Sequence, residues 1–405
     1  MSTRVCILTE TYHPVTGGGE TQTRVLAAGL SAARSSTHVL TRRTDRTLAR
    51  SVSLDGATVW RLSPSGKGHL KKWGLVFSAT LKLWQLRHSY DVILVSGYRV
   101  LGIPSIIIAK LLDKPCILKA DCIGEFSGEF FDPGLQRFKL NHRSFPVNVF
   151  LALRNWLLRK SSAFVAISSV IADELRDNNV PPAQVFNIPN SVDVKRFSPV
   201  GERDKLMFRE ALGIPHEMKV GVYTGRLVTT KGLPMLLRSW KIIADKYPDA
   251  LLLLVGVGGV GLQNCENELK EFVRDHALEK HVIFTGSVDN VDEFLKAADF
   301  FVFPTEREAF GISIIEALAC KLPLITTATG GVSDIVTDSE NAIVIPVNDE
   351  NALTRAIDSV FDDSKSTNTL AENGRRTVIE RYTEQQVLYQ YEALIDELCG
   401  NGLHE

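Results

Sequence analysis

The chain has 405 residues, 44% apolar and 23% charged, an ordinary globular composition long enough for two domains. No stretch approaches the 18 or so apolar residues of a membrane span, and the start runs directly into the strand-like Val5-Cys6-Ile7-Leu8 rather than a signal peptide, so the chain is expected in the cytoplasm. The net charge is −1, yet residues 1–198 carry 26 Lys plus Arg against 14 Asp plus Glu, and the remainder 20 against 33. That opposition in sign predicts a domain boundary near residues 192–201 and a first half that faces something anionic. The six cysteines, Cys6, Cys116, Cys122, Cys265, Cys320 and Cys399, form no C-x-x-C pair, which favours reduced structural thiols over a metal site or a disulfide.

Residues 4–9 read as the first strand, and a loop over 10–19 ends in Gly17-Gly18-Gly19 before a helical run at 20–33. A glycine cluster between the first strand and first helix of an α/β domain lets backbone approach a phosphate or sugar; it also serves as a plain flexible turn. Strands recur at 38–41, 58–61, 91–96, 115–119 and 163–167 with helices between, an alternation that predicts a doubly wound sheet. Two stretches of this half lack any acidic residue. Residues 56–90 hold six basic residues, and the helical part at 69–88 sets Leu70, Trp73, Phe77, Leu81 and Trp84 on one stripe and Leu75, Val76, Leu83 and Leu86 on another. One core-facing stripe does not require so much apolar surface. Residues 133–172 repeat the pattern, with six basic residues and the apolar run 145–158. Either both helices are buried against the sheet with solvated basic edges, or they offer a basic, aromatic surface to an anionic membrane and a lipid-linked acceptor. Nucleic acid is not expected, since no binding module accompanies the charge.

In the second half, a strand at 219–224 leads into Gly225-Arg226-Leu227-Val228-Thr229-Thr230-Lys231-Gly232 and a helix at 233–247. Arg226 offers a bidentate fork and Lys231 a point charge, a pair suited to a diphosphate, although each taken alone is also an ordinary turn residue. Strands at 251–255 and 282–285 run into Gly256 and Gly286, placing both loops at the carboxyl edge of a parallel sheet, where ligands of such sheets bind. Residues 305–316, TEREAFGISIIE, then lie between strand-like runs at 299–303 and 322–327. Glu308 and Glu316 are separated by seven residues; on one helix they would stand roughly 12 Å apart along the axis. With Glu308 on the loop and Glu316 in the second helical turn they can hold two parts of one elongated ligand. Free N–H groups at Phe310, Gly311 and Ile312 would open the helix and attract an anion.

This segment resembles the E-x7-E signature of retaining glycosyltransferases of family 4. Gly225-Arg226-Leu227 with Lys231-Gly232 resembles that family's GR-L-x-x-x-KG turn, and Ile188-Pro189-Asn190-Ser191-Val192-Asp193 its I-P-N-G-V-D step. The match is carried by residues 188–350 and is looser in the first half.

The resemblance implies an α/β protein of the GT-B fold, two Rossmann-like doubly wound domains facing a cleft. Residues 1–195 would bind the acceptor, 196–382 the nucleotide sugar, and 383–405 would be a helix crossing back to the first domain. The implied reaction is retaining transfer of a hexosyl group from a UDP- or GDP-sugar to an acceptor hydroxyl, with no cofactor and no metal. No Asp-x-Asp pair occurs, so the leaving diphosphate would rely on Arg226, Lys231 and the helix N-terminus at Phe310, Gly311 and Ile312, with Ala309 among the donor-binding residues. By the same resemblance Glu316 accepts the ribose hydroxyls and Glu308 binds the transferred sugar, Gly17, Gly18 and Gly19 reach the donor, and Gly256 and Val288 help hold the base. Where several members have a catalytic histidine, this chain reads Lys119-Ala120-Asp121-Cys122-Ile123-Gly124-Glu125. Asp121, and secondarily Glu125, are the candidates to hydrogen-bond sugar or acceptor there, or else they cap the following turn. Residues 329–334 resemble the family's G-G-x-x-E turn with an aspartate in the glutamate's place, so Asp334 stays outside the expected site. The alternatives are a non-hydrolysing nucleotide-sugar epimerase on the same fold and a non-catalytic nucleotide-sugar-binding protein. The expected acceptor is a lipid-linked or polysaccharide precursor, met in the cytoplasm or at the inner face of a membrane.

Overall fold

The computed structural model describes residues 3–34, 36–66, 69–136, 139–259, 263–362 and 364–400. The chain divides into two compact units, Met1–Asn190 together with Glu384–Glu405, and Ser191–Thr383.

The first unit is built from β1 (Val5–Thr9), α1 (Gly18–Ala33), β2 (Thr37–Arg42), β3 (Ser51–Leu54), β4 (Ala57–Leu62), α2 (His69–Gln85), β5 (Val92–Ser96), α3 (Tyr98–Leu111), β6 (Cys116–Lys119), α4 (Asp132–Leu135), α5 (Phe145–Leu158), β7 (Ala163–Ala166), α6 (Ser169–Asp177) and β8 (Val185–Asn187). Its sheet has the order β3-β4-β2-β1-β5-β6-β7-β8, with only β3 antiparallel. The central strands are apolar on both faces, and every residue of β1 and β5 is buried. That is the composition a parallel sheet covered on both sides demands. β3 and β4 are joined by Asp55-Gly56, both with positive φ (50° and 81°), the backbone of a two-residue hairpin turn. One face of the sheet, Val5, Ile7, Val39, Val92, Leu94 and Ile117 among others, packs on α1 and on the last helix. On the other face α3 lies between α2 and α5, with Gly102 drawn against Leu158 of α5 and Leu118 of β6.

The second unit continues with α7 (Glu202–Ala211), β9 (Lys219–Thr224), α8 (Leu233–Lys246), β10 (Ala250–Val255), α9 (Glu266–Asp275), β11 (Val282–Gly286), α10 (Val291–Ala297), β12 (Phe300–Phe303), α11 (Ile312–Ala319), β13 (Leu324–Thr327), β14 (Ile343–Ile345), α12 (Glu350–Asp362) and α13 (Ser364–Arg381). Its six strands are all parallel, in the order β11-β10-β9-β12-β13-β14. α8 shows why such helices form: Leu233, Leu236, Leu237, Trp240 and Ile243, three or four apart, make one buried stripe. The last helix, α14 (Glu384–Leu398), belongs to the first unit and packs on α1. There the Arg34 guanidinium donates to the Asp396 carboxylate at 2.5 Å and to the Glu392 carbonyl at 3.1 Å.

The helix expected over 69–88 ends at Gln85. Of its two stripes, Leu75 and Leu83 are buried while Phe77, Leu81 and Trp84 are exposed. The side chains of Leu70 and Trp73 lie outside the described residues. The run 145–158 is α5, and its outer face is likewise uncovered, so simple burial of both helices does not describe them. Among the described residues no helix is long and apolar enough to cross a membrane, and Cys6, Cys116, Cys265 and Cys320 are buried free thiols.

Candidate functional site

In each unit the strand order reverses beside one strand, between β1 and β5 in the first and between β9 and β12 in the second. Crossovers leave a sheet in opposite directions at such a point, opening a crevice at the carboxyl ends of the strands. The expected site residues gather at these two edges.

In the second unit β9 ends in Gly225-Arg226, and a short 3-10 turn at Thr229–Lys231 passes through Gly232 into α8. Gly232 has φ 69°, and a Cβ there would stand 2.0 Å from the carbonyl oxygen of Pro304 at the end of β12. This close approach brings Lys231 onto the 305–311 loop. Its ammonium pairs with Glu308 (Nζ to Oε2, 2.7 Å) and lies 3.3 Å from the carbonyl of Arg307. The other carboxylate oxygen of Glu308 accepts from the N–H of Ala309 at 2.8 Å and of Phe310 at 3.3 Å. One cation and two backbone amides thus converge on a single carboxylate.

The expectation of a free N–H at Phe310 is corrected by this contact. The nearest anion to the amides is the glutamate just before them, so Glu308 folds back on its own loop. Gly311, with φ 106°, precedes the first turn of α11 at Ile312. The ring of Phe310 is buried edge-on against Tyr382 and fixes the loop from beneath. The Gly330-Gly331 turn supports it as well, the Gly331 N–H donating to the Glu308 carbonyl at 3.0 Å. Arg226 is exposed at the same edge, and its carbonyl accepts from the Tyr223 hydroxyl at 2.9 Å. Gly256, with φ 141°, lies so close to Gly225 that a Cβ would meet the Gly225 carbonyl oxygen at 2.0 Å, and Val288 follows β11 on the neighbouring loop.

Glu316 stands in the second turn of α11, apart from the Lys231–Glu308 pair. Burial pushes its carboxyl up to about 7, opposed by Arg196 and reinforced by Asp292. Arg196 is held by Asp292 at 2.8 Å and by the Asp289 carbonyl at 2.5 Å. That neighbour was not foreseen, because a residue so far before Glu316 in the chain carries no local pattern that points to α11.

In the first unit Gly17, Gly18 and Gly19 form the turn into α1, which begins at Gly18. A Cβ on Gly19 would lie 3.6 Å from the Asp121 carboxylate, so the glycine turn and Asp121 adjoin at the β1–β5 edge. Asp121 pairs with Lys119 and accepts from the Ser96 hydroxyl at 3.0 Å. Ser96 in turn lies 2.9 Å from the hydroxyl of Thr23. Lys119, Ser96 and Thr23 were missed; Lys119 ends β6 and Asp121 follows two residues on, a spacing that could have suggested the first. Glu125 is buried with neither oxygen hydrogen-bonded, and Arg99 Nε is 3.4 Å away. Its loop is held by Glu174, which accepts from the N–H groups of Gly124, Phe126 and Ser127, and by Arg154, which donates to the Glu125 carbonyl. Burial raises the Glu125 carboxyl above its ordinary range, with Arg99 opposing. No group of three or more potential metal ligands occurs among the described residues.

Comparison with known proteins gives two family matches. Residues 16–196 match the model of Glycosyltransferase Family 4 and residues 204–377 that of Glycosyl transferases group 1. Among curated relatives, the mannosylfructose-phosphate synthase of Agrobacterium fabrum is 30% identical over 59% of this chain and 54% of its own length. The lipopolysaccharide core biosynthesis mannosyltransferase LpsB of Rhizobium meliloti is 29% identical over 59% of this chain and 68% of its own. The alignments with the first two curated relatives span 54% and 60% of those proteins. The solved structure of HepE from Anabaena, in complex with UDP and glucose, superposes with a TM-score of 0.78 at 21% identity, covering 97% of this chain and 99% of that one. The fold is therefore GT-B.

Proposed function

The two halves of the chain belong to glycosyltransferase family 4 and glycosyl transferases group 1, and on that premise we propose a retaining, metal-independent hexosyltransferase that uses a UDP- or GDP-sugar. The observation that carries the proposal is the convergence of Lys231 Nζ and the Ala309 and Phe310 amides on one carboxylate at the β9–β12 edge. A cradle built for one anion suits a diphosphate, and fixed positive electrostatics there stabilise the charge that grows on the leaving phosphate. Arg226 and Lys231 hold the diphosphate, Glu308 the hydroxyls of the transferred sugar, and Glu316 the ribose hydroxyls. The remaining donor contacts fall to Gly17, Gly18, Gly19, Gly256, Val288, Gly311 and Ile312.

In the step itself the bond from the anomeric carbon to the β-phosphate oxygen breaks while a bond to the acceptor oxygen forms on the same face. The acceptor proton passes to the departing β-phosphate, so no protein nucleophile is needed. Asp121, oriented by Lys119 and Ser96, hydrogen-bonds the sugar or the acceptor. The acceptor is a hydroxyl of a polysaccharide or glycolipid precursor, a reading supported by the lipopolysaccharide relative, and the reaction runs in the cytoplasm. Neither relative described above is an epimerase.

Incubation with UDP- and GDP-sugars and hydroxyl acceptors in EDTA, with the product anomer read by NMR, tests this. Retained configuration at an undiminished rate is expected. An inverted product, or activity that returns only with added divalent cation, would overturn it.

A further inference from the structure

α5 is an amphipathic helix whose outer side has no partner within the chain. Phe145, Val149, Leu153 and Trp156 recur at three- and four-residue spacing along one stripe, with Phe150 beside it. All five are more than half exposed, Phe145 to 83%. Its inner side is ordinary core, with Leu151 and Leu158 buried, and Arg154 and Asn155 buried and hydrogen-bonded to the 125–126 backbone. The adjoining helices extend the pattern: Ile107 and Leu111 on α3, and Phe77, Leu81 and Trp84 on α2, are exposed as well. A soluble surface rarely carries so many contiguous large apolar side chains without an occupant.

Charge identifies the occupant. The exposed face of α5 bears no charged residue, and cations stand at its ends, Arg143 before the first turn and Lys160 after the last. Lys160 lies over the Trp156 ring at 5.3 Å, as Arg87 lies over Trp84 at 5.1 Å, and Lys110 is exposed between Ile107 and Leu111. Aromatic rings with cations beside them belong at the boundary of acyl chains and anionic headgroups. The neighbouring acids lie off that stripe: Glu129 and Asp177 line a cleft with Arg143, Asn148 and Arg159 on another side of α5. Asp132 is tied to His142 at 2.6 Å, and Asp113 stands just past the end of α3. A protein partner would also cover an apolar face, but it would not call for a cationic rim over residues 133–172 with no acidic residue at all.

We propose that the face formed by α5, with α3 and α2 beside it, docks this chain shallowly on an anionic lipid bilayer, with Phe145, Phe150 and Trp156 entering the acyl boundary and Arg143 and Lys160 meeting lipid phosphates. The proposal is independent of the donor chemistry above, since none of these residues belongs to that site.

Flotation of the full chain with vesicles of phosphatidylcholine alone, and of phosphatidylcholine with 30% phosphatidylglycerol, tests it. Wild type is expected to float with the anionic vesicles, at least tenfold less with the neutral ones, and progressively less as salt is raised. The triple variant Phe145→Asp, Phe150→Asp, Trp156→Asp loses flotation while keeping its circular dichroism spectrum. Should that variant misfold, Arg143→Glu with Lys160→Glu, which leaves the apolar face intact, is expected to lose the anionic preference. Wild type that stays with the buffer, that binds both vesicles equally, or whose binding survives both variants would overturn the proposal. So would a concentration-dependent dimer that the triple variant abolishes, which would assign the face to a second copy.

Discussion

On the function proposed above, Glu308 occupies the place that a donor phosphate would take. Its carboxylate satisfies Lys231 and the amides of Ala309 and Phe310 together, so on that proposal a bound diphosphate would displace it and free its oxygens for the sugar. Glu316 gives the clearest pH signature. A carboxylate at about 7 instead of 4.5 is largely protonated at pH 6, and ribose hydroxyls donate to the ionised form, so binding favours loss of the proton. Donor affinity measured by calorimetry should therefore rise between pH 6 and pH 8, by up to roughly tenfold per unit below the midpoint. Glu316→Gln should bind weakly and show a flat profile; a flat wild-type profile would refute the role. Glu125 bears on stability. Its raised carboxyl means that the folded state holds a proton which the unfolded chain releases near 4.5. The resulting stability is full below that value and is lost as pH rises through the folded-state range. Glu125→Gln is thus expected to melt higher than wild type at pH 8 and alongside it at pH 4; equal melting at both would contradict a carboxyl raised by burial without a hydrogen bond.

At the scale of elements, two joints position the sites. Gly232 has both a left-handed backbone and a carbonyl at 2.0 Å from any Cβ. Gly232→Ala must then shift the Lys231 turn away from Pro304, costing roughly 2 kcal/mol or more and about 4 °C or more in melting temperature. Donor binding should fall with it, and an unchanged melting curve would count against the joint. In the other unit Arg34→Ala removes the ion pair to Asp396 that ties α14 to α1. Hydrogen exchange should quicken across Glu384–Leu398 while β9–β13 is unaffected; uniform quickening would mean that α14 is no local unit.

These elements were legible in unequal measure. β9 and α14 fall where periodicity and breakers put them, at Lys219–Thr224 and Glu384–Leu398, because apolar runs bounded by glycine and acidic starts are local signals. β4 was expected at 58–61, but its hairpin partner β3 was overlooked although Asp55-Gly56 is a strong turn pair, since β3 is short and largely exposed. The loop location of Glu308 and the helical place of Glu316 were readable from Phe310-Gly311, but the fold-back of Glu308 onto its own amides was not. Neither was the run of hydrogen bonds from Asp121 to Ser96 and from Ser96 to Thr23, whose residues come from separate elements meeting at one sheet edge.

For the whole molecule, each unit presents a parallel sheet whose strand order reverses beside a glycine-bearing loop, and the basic balance of residues 1–198 opposes the acidic balance of the rest. The chemistry proposed for the second unit rests on the anion cradle at β9–β12, which sits in an acidic half yet brings Lys231 and two backbone amides onto one anion. The most direct test is thermal shift of the full chain in EDTA with UDP- and GDP-sugars, beside the Arg226→Ala, Lys231→Ala double variant. A ligand at a hundredfold its Kd stabilises the folded state by about 2.7 kcal/mol, so one donor is predicted to raise the wild-type melting temperature by several degrees and leave the double variant unmoved. An equal shift in both proteins, or none in either, would contradict the account.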